Sequence, residues 1–165
     1  MEKFQLKHFQ TNETGLDPWY VTGFADGESA FTYSRAGRTL NLYFAIKLVF
    51  EDRELLYKIR SFFGVGRIYV GRPVEPKKFS GHTRTSFYYR VSRIRDLDRI
   101  IEHFDEYPLV GKKARSYAIW KEMAQIKKAY RRPDREKLNA LSAQLSQLTG
   151  RKPNKRTNAE NSSDL

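Results

Sequence analysis

The segment Tyr20-Val21-Thr22-Gly23-Phe24-Ala25-Asp26-Gly27-Glu28-Ser29 constrains this chain more than any other. Asp17 can cap a helix start, and Pro18 fits the first helical position, where its missing N–H costs nothing. In such a helix Gly23 and Gly27 lie four apart and share a face, with Thr22 and Asp26 beside them. A face that small lets another helix backbone approach closely. Glu28 falls at the helix C-terminus, where free carbonyls already make the potential negative. A carboxylate there is poorly placed without a cation, and hard divalent cations take carboxylate and carbonyl oxygens as ligands. The helix end therefore reads as half of a metal site. The bland alternative is a packed core helix whose Asp26 and Glu28 are solvated.

Charge is the second constraint. The chain carries a formal net charge of +12 over 165 residues. Between Arg60 and Arg95 stand nine basic residues (60, 67, 72, 77, 78, 84, 90, 93, 95) against one acid, Glu75. Concentrated positive charge attracts polyanions, and counterion release makes such binding strong at low salt. The basic residues alternate with aromatics on predicted strands, which favours an ordered binding surface over general solubility. Absence of cysteine excludes disulfides and cysteine-ligated metal centres. With no 18-residue apolar run and no basic-then-apolar leader, neither membrane insertion nor secretion is supported. An intracellular location is expected, whether organelle or archaeal or bacterial cytoplasm.

The periodicity predicts one domain, 17–149, between an N-terminal arm (1–16) and a polar, disordered tail (150–165). After the motif helix, Ala30 to Arg35 and Thr39 to Phe50 read as strands joined by a turn at Ala36-Gly37-Arg38. In the second, Leu40, Leu42, Phe44, Ile46 and Leu48 face one way; Thr39, Asn41, Tyr43, Ala45 and Lys47 face the other, a surface fit for reading base edges. Asp52 to Phe63 is an amphipathic helix stopped by Gly64. Arg67 to Val70 is a third strand, with Ile68 and Val70 inward and Arg67 and Tyr69 outward. The long loop from Gly71 to Thr83 carries Arg72, Lys77 and Lys78, and long ordered loops are often functional. Ser86 to Ser92 is a fourth strand, its Phe87, Tyr89 and Val91 opposite Tyr88 and Arg90. Helices follow at Asp96 to Phe104, about Gly111 to Ala129, and Asp134 to Leu148, the last too short for a coiled coil. This order gives an α+β fold, an antiparallel four-stranded sheet with helices on one face.

Val21 to Ser29 resembles the signature of the LAGLIDADG homing endonucleases, with Ser29 where the pattern usually has glycine. Phe63-Gly64-Val65-Gly66 resembles the turn after that family's second helix. Tyr107-Pro108-Leu109-Val110-Gly111-Lys112-Lys113 resembles the segment bearing its active-site lysine, five residues after the proline at Lys113. The resemblance runs to about residue 130, with no second motif, so it is to the single-motif, homodimeric type. It implies that the sheet is curved and lies in the DNA major groove, and that two motif helices pack together at the centre of the assembly through Gly23, Asp26 and Gly27. It also implies that Glu28 of each, with the Gly27 carbonyl, holds Mg2+ at the scissile phosphate, with Mn2+ as substitute and Ca2+ supporting binding with little cleavage.

On this resemblance Glu28 and Lys113 are catalytic: phosphodiester hydrolysis needs a positioned water, charge neutralisation and help for the leaving oxygen. Lys112 is the rival of Lys113, and Asp26 caps or orients the paired helices rather than binding metal. The water-positioning glutamine that the family often carries falls at Leu48, leaving Arg53 or ordered water for that task. The expected DNA contacts are Thr32, Ser34 and Arg38; Asn41, Tyr43 and Lys47; Arg67, Tyr69 and Arg72; Lys77, Lys78 and Arg84; and Ser86, Tyr88 and Arg90. His8, His82 and His103 form no metal-spaced cluster; His82 is a candidate DNA contact and His103 an ordinary helix residue. The implied function is a sequence-specific endonuclease that cuts a long near-palindromic duplex, leaving short 3′ overhangs. An intron-RNA-binding maturase and a non-cleaving DNA-binding protein are the alternatives on the same scaffold.

Overall fold

The computed structural model describes residues 14–71, 85–129 and 132–150. Helix α1 (Pro18–Glu28) leads directly into strand β1 (Ser29–Ala36), followed by β2 (Thr39–Val49), a short 3-10 turn (Phe50–Asp52) and α2 (Arg53–Phe63). Then come β3 (Arg67–Val70), β4 (Ser86–Val91), α3 (Leu97–Glu106), α4 (Lys113–Ala129) and α5 (Arg135–Thr149). The four strands form one antiparallel sheet in the order β1-β2-β4-β3. Asp17 caps α1 as expected, its Oδ1 accepting the amides of Trp19 (2.8 Å) and Tyr20 (3.2 Å).

Alternation along the strands decides the layers. Phe31 and Tyr33, Leu40 to Ile46 at every second residue, and Phe87, Tyr89 and Val91 are buried beneath the helices. Phe31 anchors this layer, its ring 5.2–5.5 Å from those of Phe44, Phe104, Tyr117 and Trp120. Edge-to-face aromatic packing adds to area burial, and emptying such a site costs about 3–5 kcal/mol. Trp120 also spans to the sheet backbone, Nε1 donating to Thr32 O at 3.1 Å. Helix α5 closes the far edge through Tyr33, whose hydroxyl lies 2.8 Å from Ser146 Oγ.

The expected elements are present, with two differences. Val70, expected inward, is 64% exposed. It ends the edge strand, opposite Phe87, where burial of a side chain needs cover that the last residue of an edge does not have. Leu16, expected in the arm, packs against the core. The turn after α2 is held as its glycines suggest. Gly64 is left-handed (φ 69°), and a Cβ on Gly66 (φ 83°) would come within 2.8 Å of Arg90 O and of the Tyr89 and Val91 side chains. The rest of the arm (1–13), the loop 72–84 with His82, and the tail 151–165 lie outside the described residues.

Behind α1 lies a buried polar relay. The Thr22 hydroxyl donates to Tyr107 O (2.9 Å), which leaves its oxygen to accept from His103 Nε2 (3.1 Å). His103 is buried among the rings of Phe62, Phe63, Phe104 and Tyr107, and burial lowers its pKa from 6.5 to about 4. The imidazole is thus neutral in the folded chain at pH values where the unfolded chain already binds a proton. Its contribution is complete above pH 6.5 and is lost as the pH falls toward 4. Denaturant titrations should show an acid destabilisation on the order of 2 kcal/mol between pH 7 and pH 4.5 that is absent from His103→Gln. An identical slope in the variant would refute the assignment.

Candidate active site and sheet interface

Helix α1 ends where its last carbonyls meet two side chains. Ser29 Oγ donates to Ala25 O (2.6 Å), the carbonyl that also accepts the Ser29 amide at the C-cap, so the serine standing where the pattern usually has glycine doubles the hydrogen bonding at the helix end. Lys113 Nζ donates to Gly27 O (2.5 Å) and reaches Ala25 O (3.4 Å). A cation therefore already sits against the negative end of the helix. Glu28 is exposed beside it, and Lys112 is exposed while Lys113 is half-buried. Burial holds the Lys113 ammonium below the usual lysine range, against the opposing pull of Glu28 and Asp26. The geometry distinguishes the two lysines that sequence alone left as rivals: Lys113 reaches the end of α1.

Asp26 is differently placed from the expectation that grouped it with Gly23 and Gly27 on a pairing face. Its Oδ2 accepts the amides of Gly111 (2.7 Å) and Val110 (3.2 Å) of its own chain. With those lone pairs engaged, the carboxylate is a structural acceptor. Gly23 and Gly27 do face outward, and among the described residues nothing lies within 4 Å of a Cβ built on either. Trp19 and Tyr20 flank them at 51% and 47% exposure. Arg53, considered as a replacement for the missing glutamine, is taken up by its own turn: Nη1 donates to Phe50 O (3.0 Å) and the guanidinium stacks 3.9 Å over the Phe50 ring. Leu48 is half-buried against the core.

The uncovered sheet face carries Thr32 and Ser34 from β1, Asn41, Tyr43 and Lys47 from β2, Arg67 and Tyr69 from β3, and Ser86, Tyr88 and Arg90 from β4. Arg38 lies in the β1–β2 turn at the end of this face. Arg90 stacks 3.7 Å over the Tyr43 ring, and Lys47 Nζ lies 5.4 Å from the Tyr88 ring centre. Arg67 pairs directly opposite Arg90. Like charges opposite each other across a ladder are destabilising, so this pair costs the free chain stability. Arg72, Lys77, Lys78 and Arg84, also expected to bind DNA, lie outside the described residues. The contacts that sequence reasoning did not find are those of Asp26. Its partners are 84 and 85 positions away, and only the glycine at 111 hinted at a close approach.

A family model described as LAGLIDADG endonuclease matches residues 21–124. The chain is 35% identical over 116 residues to a Podospora anserina protein called an uncharacterized 50.9 kDa protein in ND4 intron 1, covering 65% of this chain and 23% of that protein. It is 28% identical over 130 residues to a probable intron-encoded endonuclease 3 of Neurospora crassa, covering 73% and 22%. Among solved structures it is similar to the LAGLIDADG meganuclease I-AabMI bound to uncleaved DNA, with 32% identity and a TM-score of 0.64 over 78% of this chain and 44% of that one. The chain thus spans about a quarter of these curated relatives and less than half of the solved protein. The family match covers well over half of the chain, in the region where the structure joins helix end, lysine and sheet face, and the chain belongs to the LAGLIDADG endonuclease family.

Proposed function

We propose that this chain is a sequence-specific, metal-dependent DNA endonuclease that acts inside cells as a homodimer on a long, near-palindromic duplex. The observation that supports this best is the end of α1, where the Lys113 ammonium donates to the Gly27 carbonyl next to exposed Glu28, whose charge raises the proton affinity of that lysine. A pure binder needs neither. LAGLIDADG endonucleases are metal-dependent, and the donor set here suits a hard cation, Mg2+ above all: one carboxylate, one carbonyl, and a helix terminus that already attracts an ammonium. Among the described residues no group of three or more His, Cys, Asp or Glu stands together. An ion bound here would complete its coordination with oxygens from outside these side chains, such as phosphate and water. A divalent ion bound there supplies charge neutralisation at the phosphate and an activated water. Glu28 and the Gly27 carbonyl would hold such an ion, and Lys113, beside them at the same helix end, would stabilise charge developing on the phosphoryl oxygens. The tyrosine-backed arginine and lysine of the sheet face hold the duplex in register.

The partner for the Gly23–Gly27 face is a second copy, which supplies an identical, self-complementary surface. Two sheets side by side would cover about 20 base pairs, roughly two duplex turns. The same face on a further segment of a longer chain is the other possible source. Light scattering on the 165-residue chain separates the two. About twice the chain mass is expected, falling to one chain mass in Gly23→Leu; a wild-type monomer at micromolar concentration with DNA present would exclude the homodimer.

Glu28→Gln should abolish cutting while leaving DNA affinity unchanged or slightly higher, since carboxylate–phosphate repulsion is removed. Lys113→Met should slow cutting about 100- to 1,000-fold, and Lys112→Met much less. Mg2+ or Mn2+ should support cleavage with short 3′ overhangs, EDTA should stop it, and Ca2+ should support binding with little turnover. Full cleavage by Glu28→Gln would overturn the metal assignment. A wild type that cuts no DNA but binds a structured intron RNA tightly would make the chain a maturase.

Arg90→Ala and Arg67→Ala should weaken binding and flatten its salt dependence by about one counterion each where they touch phosphate, or relax base preference where they touch a base. Tyr43→Ala should mimic Arg90→Ala in part by freeing the guanidinium. Electrophoretic mobility shifts across a salt series, followed by selection from a randomised duplex library, check this. Binding indifferent to both arginines would exclude the sheet face.

A further inference from the structure

We propose that Asp26 is a positioning residue for Lys113, a latch that ties the 110–111 backbone to α1 and so delivers the lysine to the Gly27 carbonyl. This rests on the endonuclease reading above and assigns a residue that the reading leaves without a part. Three features of the structure meet here. The Asp26 carboxylate takes two successive backbone amides on one oxygen, at 2.7 and 3.2 Å. The approach requires glycine, because a Cβ on Gly111 would lie 2.8 Å from both carboxylate oxygens. Gly111 O in turn accepts the amide of Ala114 (3.1 Å), so the latched residue opens the first turn of α4. Lys113, the first residue of that helix, then stands two positions from the latch and reaches Gly27 O.

The electrostatics explain why an acid serves here. A carboxylate one turn from the C-terminus of α1 is repelled by the free carbonyls of that helix. It gains from the amides of Val110 and Gly111, just ahead of the N-terminus of α4, an end that favours negative charge. Asp26 thus lies between the unfavourable end of one helix and the favourable end of another, and holds the two together. Its Oδ1 is buried with no hydrogen-bond partner among the described residues. A buried acceptor left unmatched carries a desolvation cost, so the carboxylate is not the cheapest side chain for stability alone. The arrangement makes sense if its product is the placement of Lys113.

The latch can be broken from either side, by Asp26→Ala or by Gly111→Ala, and partly kept by Asp26→Asn, whose amide oxygen still accepts. Three measurements test it. Amide hydrogen exchange, which needs no DNA, should show Gly111 protected in the wild type and released in Asp26→Ala. Single-turnover cutting of a duplex selected from a randomised library should fall at least about 10-fold in Asp26→Ala and Gly111→Ala, with DNA affinity within about threefold of wild type and substantial recovery in Asp26→Asn. In a Lys113→Met background the same changes should slow cutting by less than about twofold, because the step they serve is already lost. Full additivity in that background, or a freely exchanging Gly111 amide in the wild type, would overturn the latch. Loss of the dimer in Asp26→Asn with Gly111 still protected would also overturn it, returning Asp26 to the helix-pairing face. If the wild type cuts no duplex, the endonuclease reading fails by itself, and Gly111 exchange still decides whether the latch exists.

Discussion

Helix α1 ends at Glu28 and strand β1 begins at Ser29, with no loop between them. Everything at the candidate site depends on that junction. Ser29 is held twice, by its hydroxyl on Ala25 O and by its register opposite Ile46 in β2, and Phe31 two residues later enters the centre of the aromatic core. The backbone of Glu28 is therefore fixed relative to the sheet by a continuous, packed junction. A flexible linker there would let the reacting group and the reading face move independently, and displacement of a catalytic group by about 1 Å can cost about 100-fold in rate.

Charge placement runs against stability in two regions. On the sheet, Arg67 faces Arg90 and Lys47 lies over Tyr88, a concentration of like charge that an anionic ligand would relieve. At the end of α1, Asp26 and Glu28 add negative charge where the helix dipole already opposes it, and Lys113 offsets part of it. The core tolerates this because it is large and aromatic: Phe31, Phe44, Phe104 and Trp120 form one contact group beneath β1 and β2. Strain at a functional site supported by packing elsewhere is the common arrangement in folded proteins.

Among the described residues, none packs against the face of Gly23 and Gly27, and the aromatic pair Trp19 and Tyr20 borders them at half exposure. Small residues flanked by exposed rings on a rigid helix form a surface suited to close helix contact, and the carboxylate at the end of the same helix would be brought beside its equivalent by such a contact.

By itself the sequence determined the elements and their faces. Alternation in β2 and β4 separated core from surface, since a period of two admits one register of burial; Asp17, Pro18 and Gly64 marked helix ends through local backbone chemistry; and the motif order placed Glu28 and Lys113 on the short list of reacting groups. Local pattern could not rank Lys113 above Lys112, because adjacent residues at a helix start differ by about 100° in direction and only packing fixes which one meets α1. It could not reveal that Asp26 turns to Val110 and Gly111, since a hydrogen bond between residues 84 and 85 positions apart leaves no periodic trace. Nor could it expose Val70, whose apolar side chain fits the inward register but lies at the end of an edge strand, a position set by the sheet order β1-β2-β4-β3. Local structure follows from neighbours along the chain; which lysine reaches the helix end, which acid is a latch and which valine is left in water follow from neighbours in space.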